Sequence, residues 1–308
     1  MKLNLRRLGI FMALVTVLLL GMFLTAFSYI DIGITDLANG EGKPVAIADL
    51  PEIPESVAED AAAMAMELYG DYQDKYDEFV SQLLAAYVEA KDKDFVVIFN
   101  PGGWGTKMLE RSPGWQEICQ GIESELDNLG YSSLVLDFRR TTGSLRGINK
   151  ELVELFSVYP SKAKNLAKRV EFLTRNVPDL KIIVAGESNG AVISDTVMDM
   201  LRDDPKVYSI QTGPPFWHRQ MTVERTLVLD TNGQVPDAFS CGDIPAMLFT
   251  SLKALLGMPL TEEEEAGRIF YFVRAPGHDY RWQYPGVNLR IAGFLEENFS
   301  LVSESSSN

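Results

Sequence analysis

The chain has 308 residues, of which 46% are hydrophobic and 23% charged, and its formal net charge is −15. This length and apolar content suffice for a substantial buried core, in one large domain or two small ones. An acidic surface repels nucleic acid, and no basic stripe interrupts it, so nucleic acid is not an expected partner.

The N-terminal 30 residues have the composition of a membrane segment. Three basic residues occur within the first seven positions, and an uncharged apolar run follows at 8–30. That run exceeds the roughly 20 residues needed to cross a bilayer and the ~7–15 apolar residues of a signal peptide. Basic residues before it and acidic Asp31 after it favour a single-pass anchor with a cytoplasmic N-terminus and an exported body. Secretion after signal cleavage is the alternative, because residues 26–28 have the small-x-small form.

Between this segment and the core, the pattern changes twice. Residues 31–53 lack periodicity and are typical of a linker. Residues 54–92 predict two helices, the first ending near residue 69 and the second running from about residue 71 to 91. The Ser-rich residues 301–308 form a tail.

From residue 93 to 300 the sequence predicts an α/β domain. Short apolar, β-branched runs of the kind found in buried strands lie at 95–99, 132–136, 181–185, 207–211, 226–230 and 269–273. Helical patterns lie between several of them, at 113–129, 160–177 and 190–203. This alternation indicates a doubly wound, mostly parallel sheet with helices on both faces. Ligands in such sheets bind beyond the carboxyl ends of the strands.

The most informative stretch is "GESNG", residues 186–190, between the strand-like run at 181–185 and the helical pattern that follows. It has the G-x-S-x-G form, in which the serine lies on a strained turn at the start of a helix. The flanking glycines let strand and helix approach without a Cβ clash. Ser188 is therefore the candidate nucleophile, while Glu187 is consistent with a solvated turn residue.

Two further loops follow predicted strands. "NPGGWGT", residues 100–106, is a Gly-rich turn that can direct backbone N–H groups at a reacting oxygen. "RAPGHDY" places His278 after the last run. The only other histidine, His218, has no acid close to it in the sequence, and we interpret it as a pocket or packing residue.

These three features, in this order, resemble the α/β-hydrolase fold over residues 95–299, about two-thirds of the chain. The resemblance implies a Ser188–His278 pair with an acid from the loop after the 226–230 run. Asp230 lies on the usual side of that loop and is favoured over Asp237, and Asn232 occupies the spacing at which many members carry Asp. The resemblance also implies an oxyanion hole formed by backbone N–H groups of Asn189 and of Gly103 or Trp104.

Residues 237–267 form an insertion between the last two predicted strands. Its apolar positions recur at helical spacing and predict either a lid over the serine or a helix packed on the core. Thr261 begins "TEEEEAG" and is expected to cap a short helix.

The remaining residues indicate little further chemistry. Cys119 and Cys241 could pair or remain free thiols, and no metal-ligand spacing or cofactor motif is present. The sequence therefore predicts a membrane-anchored serine hydrolase acting on an ester or related acyl bond of a small-molecule or lipid-like substrate. A serine peptidase or acyltransferase with the same residues is one alternative. A non-catalytic binding protein that has kept the fold and lost the acid is another.

Overall fold

A computed structural model describes residues 53–70, 72–103, 105, 109–138, 160–221, 223–269 and 273–300. The predicted membrane segment at 1–30, almost all of the linker and the tail at 301–308 lie outside these ranges. Within them, no helix is both long and apolar enough to cross a bilayer.

The described chain forms five strands and eight α-helices, close to the predicted boundaries. The strands are β1 (Phe95–Asn100), β2 (Ser133–Asp137), β3 (Lys181–Glu187), β4 (Val207–Thr212) and β5 (Thr226–Leu229). The helices are α1 (Glu55–Tyr69), α2 (Gln73–Ala90), α3 (Pro113–Asn128), α4 (Pro160–Asn176), α5 (Asn189–Met200), α6 (Ile244–Leu255), α7 (Glu262–Ala266) and α8 (Pro285–Phe299).

The strands form one parallel sheet in the order β2-β1-β3-β4-β5. The predicted mostly parallel sheet is confirmed, and its order reverses between β1 and β3. In doubly wound sheets this reversal opens a crevice at the carboxyl ends of the two strands. Asn100, the last residue of β1, pairs with Gly186 near the end of β3, so the loops after these strands start side by side.

Helices cover both faces of the sheet, because alternate residues of each strand point to opposite sides. On one face α1, α2, α4 and α5 pack against residues such as Val96 and Ile182. On the other, α3 and α8 pack against residues such as Val97 and Ile183. The two helices predicted at 54–92 therefore belong to the same core as the sheet.

The predicted strand at 269–273 lies mostly outside the described residues, which include only its two ends. The Ile269 N–H donates to the Val273 carbonyl over 3.1 Å. Beside this contact, Arg268 and Arg274 form an isolated antiparallel bridge, and neither residue belongs to the five-stranded sheet.

In the insertion, α6 does not pack its apolar stripe on the core. Its only buried residues are Thr250 and Ser251. α7 begins with the predicted cap: the Glu264 N–H donates to Thr261 Oγ1, and the Thr261 N–H donates back to Glu264 Oε2. Cys119 is buried and Cys241 exposed, and both are free thiols.

A pair of helical glycines tests the packing of α3. A methyl group on Gly121 would lie within 3.0 Å of the Trp282 ring, whereas one on Gly293 of α8 would meet nothing within 4 Å. We expect Gly121→Ala to lower the free energy of unfolding by about 1–3 kcal/mol through overpacking. Gly293→Ala should raise it by about 0.5–1 kcal/mol, because alanine loses less backbone entropy in a helix. Urea unfolding of both variants checks this, and equal effects would contradict the described α3–Trp282 contact.

Candidate active site

Ser188 occupies a strained turn between β3 and α5. Its backbone has φ 52° and ψ −115°, a conformation that costs a non-glycine residue energy. A methyl group on Gly186 would lie 2.6 Å from Ser194 Oγ, and one on Gly190 would collide with the Asn100 carbonyl. The two glycines of the motif are thus required by close contact. Ser188 is 6% exposed, so it lies within a narrow site.

Side chains of the turn hold the Gly-rich loop after β1. Three hydrogen bonds join the two segments. Asn100 Nδ2 donates to the Gly190 carbonyl (3.0 Å), and the Gly102 N–H donates to Glu187 Oε2 (3.2 Å). In the third, Asn189 Nδ2 donates to the Gly103 carbonyl (3.2 Å). Glu187, interpreted from sequence as a solvated turn residue, is therefore a structural partner of this loop. The loop and the serine are fixed as one unit.

Two of the predicted oxyanion donors lie in this unit. Asn189 is the first residue of α5, where backbone N–H groups have no acceptor within the helix. Gly103 adopts a positive φ of 56°, which glycine tolerates. The Gly102 N–H is already donated to Glu187. Trp104 lies outside the described residues.

His278 and Ser188 both lie close to the end of β4. The Ser188 N–H donates to the Thr212 carbonyl over 2.8 Å. A methyl group on the next residue, Gly213, would lie 2.6 Å from His278 Cε1. Among the described residues no hydrogen bond joins Ser188 Oγ to His278. In free enzymes such contacts are commonly long and tighten with bound substrate.

The acid that contacts His278 is Asp237. Its Oδ2 lies 2.9 Å from His278 Nδ1 and also accepts hydrogen bonds from the hydroxyls of Tyr280 (2.8 Å) and Ser240 (2.9 Å). Its Oδ1 accepts from the backbone N–H of Phe239 (2.8 Å). Asp237 is fully buried, so each of these contacts acts away from solvent.

This environment perturbs two pKa values. Burial alone would raise the pKa of Asp237, but the hydrogen bonds and charge of His278, with those from Tyr280 and Ser240, hold it below its usual range. Burial, reinforced by the adjacent Asp237 carboxylate, raises the pKa of Tyr280 well above its ordinary value. At neutral pH the pair is therefore an ionised carboxylate and a neutral phenol that donates to it.

The expectation that Asp230 contacts His278 is corrected. Asp230 follows the end of β5 and is exposed, and it makes no hydrogen bond to His278. A bridge between Thr231 and Pro236 folds the loop back and brings Asp237 inward. Asn232 does not contact His278 either. Its Nδ2 donates to the Asp279 carbonyl, and its Oδ1 accepts from the N–H groups of residues 234 and 235, so it shapes the turn.

His218, interpreted from sequence as a pocket or packing residue, forms a second buried pair with an acid. Its Nε2 lies 2.8 Å from Asp195 Oδ2, which also accepts from the Met221 N–H over 2.8 Å. Asp195 is on α5 and fully buried, and its Oδ1 has no hydrogen-bond partner among the described residues. This pair ties the loop after β4 to the helix that follows Ser188. The sequence signal that could have indicated this pair is Asp195, an acidic residue on the apolar face of the predicted helix.

An aromatic cluster extends from His278 toward the surface. The Phe239 ring lies 4.9 Å from the His278 ring, and the Trp217 ring lies 5.1 Å from Phe239. Phe216 packs edge-on against Trp217 at 5.0 Å. The histidine therefore borders an apolar region.

Comparison with known proteins finds no matching family model and no matching curated protein. Among solved structures, the chain is similar to Trichoderma reesei cutinase in complex with a phosphonate inhibitor. The two are 14% identical with a TM-score of 0.34, and the match covers 64% of this chain and 83% of the cutinase chain. The parallel sheet with helices on both faces fits an α/β-hydrolase-like fold.

The lowered pKa of Asp237 predicts a pH-dependent contribution to stability. A carboxyl group whose pKa is lower in the folded than in the unfolded chain stabilises the fold above its unfolded pKa of about 3.9. That contribution is lost as the pH falls through the folded pKa. We expect wild type to be more stable than Asp237→Asn at neutral pH, with the difference shrinking below about pH 4.

Urea unfolding at a series of pH values measures this difference. The matched control is Asp230→Asn, which removes an exposed carboxylate from the same loop and should change stability little at any pH. A difference for Asp237→Asn that stays constant as the pH falls would contradict the described environment.

Proposed function

We propose that the chain is a serine hydrolase that cleaves an ester or related acyl bond through an acyl-enzyme on Ser188. The observation that supports this proposal is the pairing of His278 with the buried carboxylate of Asp237, since His278 also lies against Gly213, next to the residue that accepts from the Ser188 N–H. A nucleophile, a base and an orienting acid are the minimum set for this chemistry.

In this mechanism His278 removes the Ser188 proton as the hydroxyl oxygen attacks the substrate carbonyl carbon. With its Nδ1–H donated to Asp237, the imidazole has its Nε2 lone pair available as the base. The proton passes to the leaving group when the tetrahedral intermediate collapses. Water then attacks the acyl-enzyme by the same route and releases the acid.

The charge that develops on the substrate oxygen requires nearby donors. The proposal assigns this role to the backbone N–H groups of Asn189 and Gly103, with Trp104 as the alternative on the β1 loop. Removing one such donor typically costs about 10²–10³ in kcat. The side-chain bonds that fix the loop to the turn would keep these donors in place, which is how preorganised sites avoid reorganisation during the reaction.

The Asp237 contact also bears on the non-catalytic alternative. Its main support was the absence of an acid at the Asn232 position, and Asp237 supplies that acid from five residues further along. The parts of the site that contact the substrate determine which leaving group and acceptor are used. Peptidase and acyltransferase activity are therefore variants of the same chemistry.

The decisive test compares four proteins in hydrolysis of a short water-soluble ester and in labelling by a fluorophosphonate. Ser188→Ala should abolish both, because the nucleophile is lost. Asp237→Asn should lower kcat by about 10²–10⁴ with a much smaller effect on KM, because the imidazolium forms only as the reaction proceeds. Asp230→Asn, the matched control, should retain wild-type kinetics.

Full hydrolysis by Ser188→Ala would refute the serine mechanism. A loss in Asp230→Asn that equals the loss in Asp237→Asn would show that the two effects do not arise from contact with His278.

For location, we propose that residues 8–30 anchor the chain in a membrane, with the α/β domain on the extracytoplasmic side. The support is the length of the uncharged run and the charge difference across it. The expected result is a protein that keeps its N-terminal residues by intact mass and is extracted from membranes only by detergent. A mature chain starting near residue 29 would instead establish a cleaved signal peptide.

A further inference from the structure

α6 leaves most of its large apolar side chains exposed. A helix packed on a core normally buries its apolar stripe and exposes polar residues. In α6 and the residue that follows it, Ile244, Leu248, Leu252 and Leu256 form one exposed apolar stripe. The opposite side buries Thr250 and Ser251 and packs the partly buried Ala246 and Met247 against a small cluster that includes Phe239. Ser251 Oγ donates to the Met247 carbonyl and accepts from the Arg274 N–H, so specific bonds hold the helix in this orientation.

The exposed stripe is part of a larger apolar surface. We call it the apolar face, and its large side chains are each 38–65% exposed: Phe216, Trp217, Ile244, Leu248, Phe249, Leu252, Leu255, Leu256 and Met258. The two aromatic residues join the helix directly, because the Phe216 ring packs against Gly242, which precedes α6. Contiguous apolar surfaces of this kind mark sites of interaction.

The charges around the apolar face are mainly acidic. Lys253 is the only basic residue in the 237–267 insertion, and both carboxylate oxygens of Glu264 accept from its Nζ at 2.8 and 2.6 Å. Asp243, Glu262 and Glu263 add negative charge, whereas Glu265 pairs with Arg268 and Arg274. Arg219, on the neighbouring loop, adds one positive charge. A partner with a strongly anionic surface would therefore be repelled.

The apolar face also lies next to the candidate active site. Trp217 contacts Phe239, which contacts His278. A protein partner, including a second copy of this chain, would crowd the approach to His278 if it covered this surface. A lipid layer would bring apolar acyl groups to the same place.

The position of the surface within the chain favours the lipid layer. The apolar run at 8–30 is long enough to span a bilayer, and residues 31–52 connect it to the described domain. A segment of that length reaches at most about 80 Å when extended, so an anchor at 8–30 would keep the domain within reach of the membrane.

We propose that the apolar face inserts into the surface of a bilayer with uncharged or zwitterionic headgroups and turns the entrance of the Ser188 site toward the lipid. The orientation of the entrance rests on the proposed hydrolase function, and the choice of lipid as the partner rests on the proposed membrane anchor. Insertion of Trp217 and of the α6 stripe among acyl chains is the specific claim.

Fluorescence quenching by lipid tests this claim in the full-length chain. The protein is reconstituted in phosphatidylcholine vesicles with or without brominated acyl chains, which quench tryptophan on contact. Subtracting the emission of Trp217→Phe isolates Trp217 from the other tryptophans, of which Trp115 is buried in the core. We expect brominated lipid to remove most of the Trp217 emission. Unquenched Trp217 would overturn the proposal, whether water, a second copy or another part of the chain contacts the face.

Matched variants separate insertion of the face from anchoring by residues 8–30. Phe249→Ser combined with Leu256→Ser should reduce the quenching of Trp217. Leu289→Ser, which changes an equally exposed side chain on α8, should leave it unchanged. Equal quenching of Trp217 in the wild type and in both variants would overturn the role of α6.

Two further measurements test the headgroup preference and the hydrolase activity separately. Replacing part of the lipid by anionic phosphatidylglycerol should not increase quenching, and an increase would overturn the preference for uncharged headgroups. In detergent, the Phe249→Ser, Leu256→Ser variant should hydrolyse a short soluble ester at the wild-type rate. If no chain shows Ser188-dependent hydrolysis, the proposed function fails while the quenching experiment still decides the contact with lipid.

Discussion

The contact between the start of α5 and the end of β1 is the constraint on which the candidate site depends. Gly190 lies so close to the Asn100 carbonyl that no side chain fits between them. This closeness forces the chain into a sharp reversal after β3, and Ser188 takes the strained conformation at its apex. The same closeness lets Glu187 and Asn189 reach the Gly-rich loop. One steric condition thus fixes the nucleophile and the neighbouring loop together.

The charge of the buried Asp237 is the second constraint on the candidate site. Asp237 is removed from solvent, which on its own would favour the neutral acid. His278, Tyr280 and Ser240 offset that cost by hydrogen bonding, so the carboxylate stays charged where it can orient an imidazole. The high pKa of Tyr280 belongs to the same arrangement, because a neutral phenol is a donor and a phenolate would be a second anion. Removing any one of these donors therefore makes the charged form of Asp237 less favourable and also loosens its position.

Much of the fold could be predicted because its signals are local. Apolar runs and helical spacing gave five strands and the main helices, since burial imposes a period on each element independently of its neighbours. For α6 the helical period was evident in the sequence, whereas the choice between a lid and a helix packed on the core depended on contacts with distant residues.

The candidate site likewise contains residues that local sequence patterns predict and residues that they do not. Ser188 and His278 could be selected from short motifs, because the strained turn requires its own glycines and histidines are few. The acid could not, since the choice between Asp230 and Asp237 depends on the Thr231–Pro236 bridge, which no pattern of spacing reveals. The pairing of His218 with Asp195 likewise joins residues 23 positions apart through the tertiary fold.

The two unlinked cysteines have a practical consequence. Cys119 is enclosed in the core between α3 and the sheet, and burial raises the pKa of its thiol, so it resists modification. Cys241 is exposed and adjoins the glycine against which Phe216 packs. A thiol-specific dye or spin label would therefore attach at one position, beside the aromatic approach to His278, without any engineered cysteine. The native chain provides a reporter group at the entrance of its own candidate site.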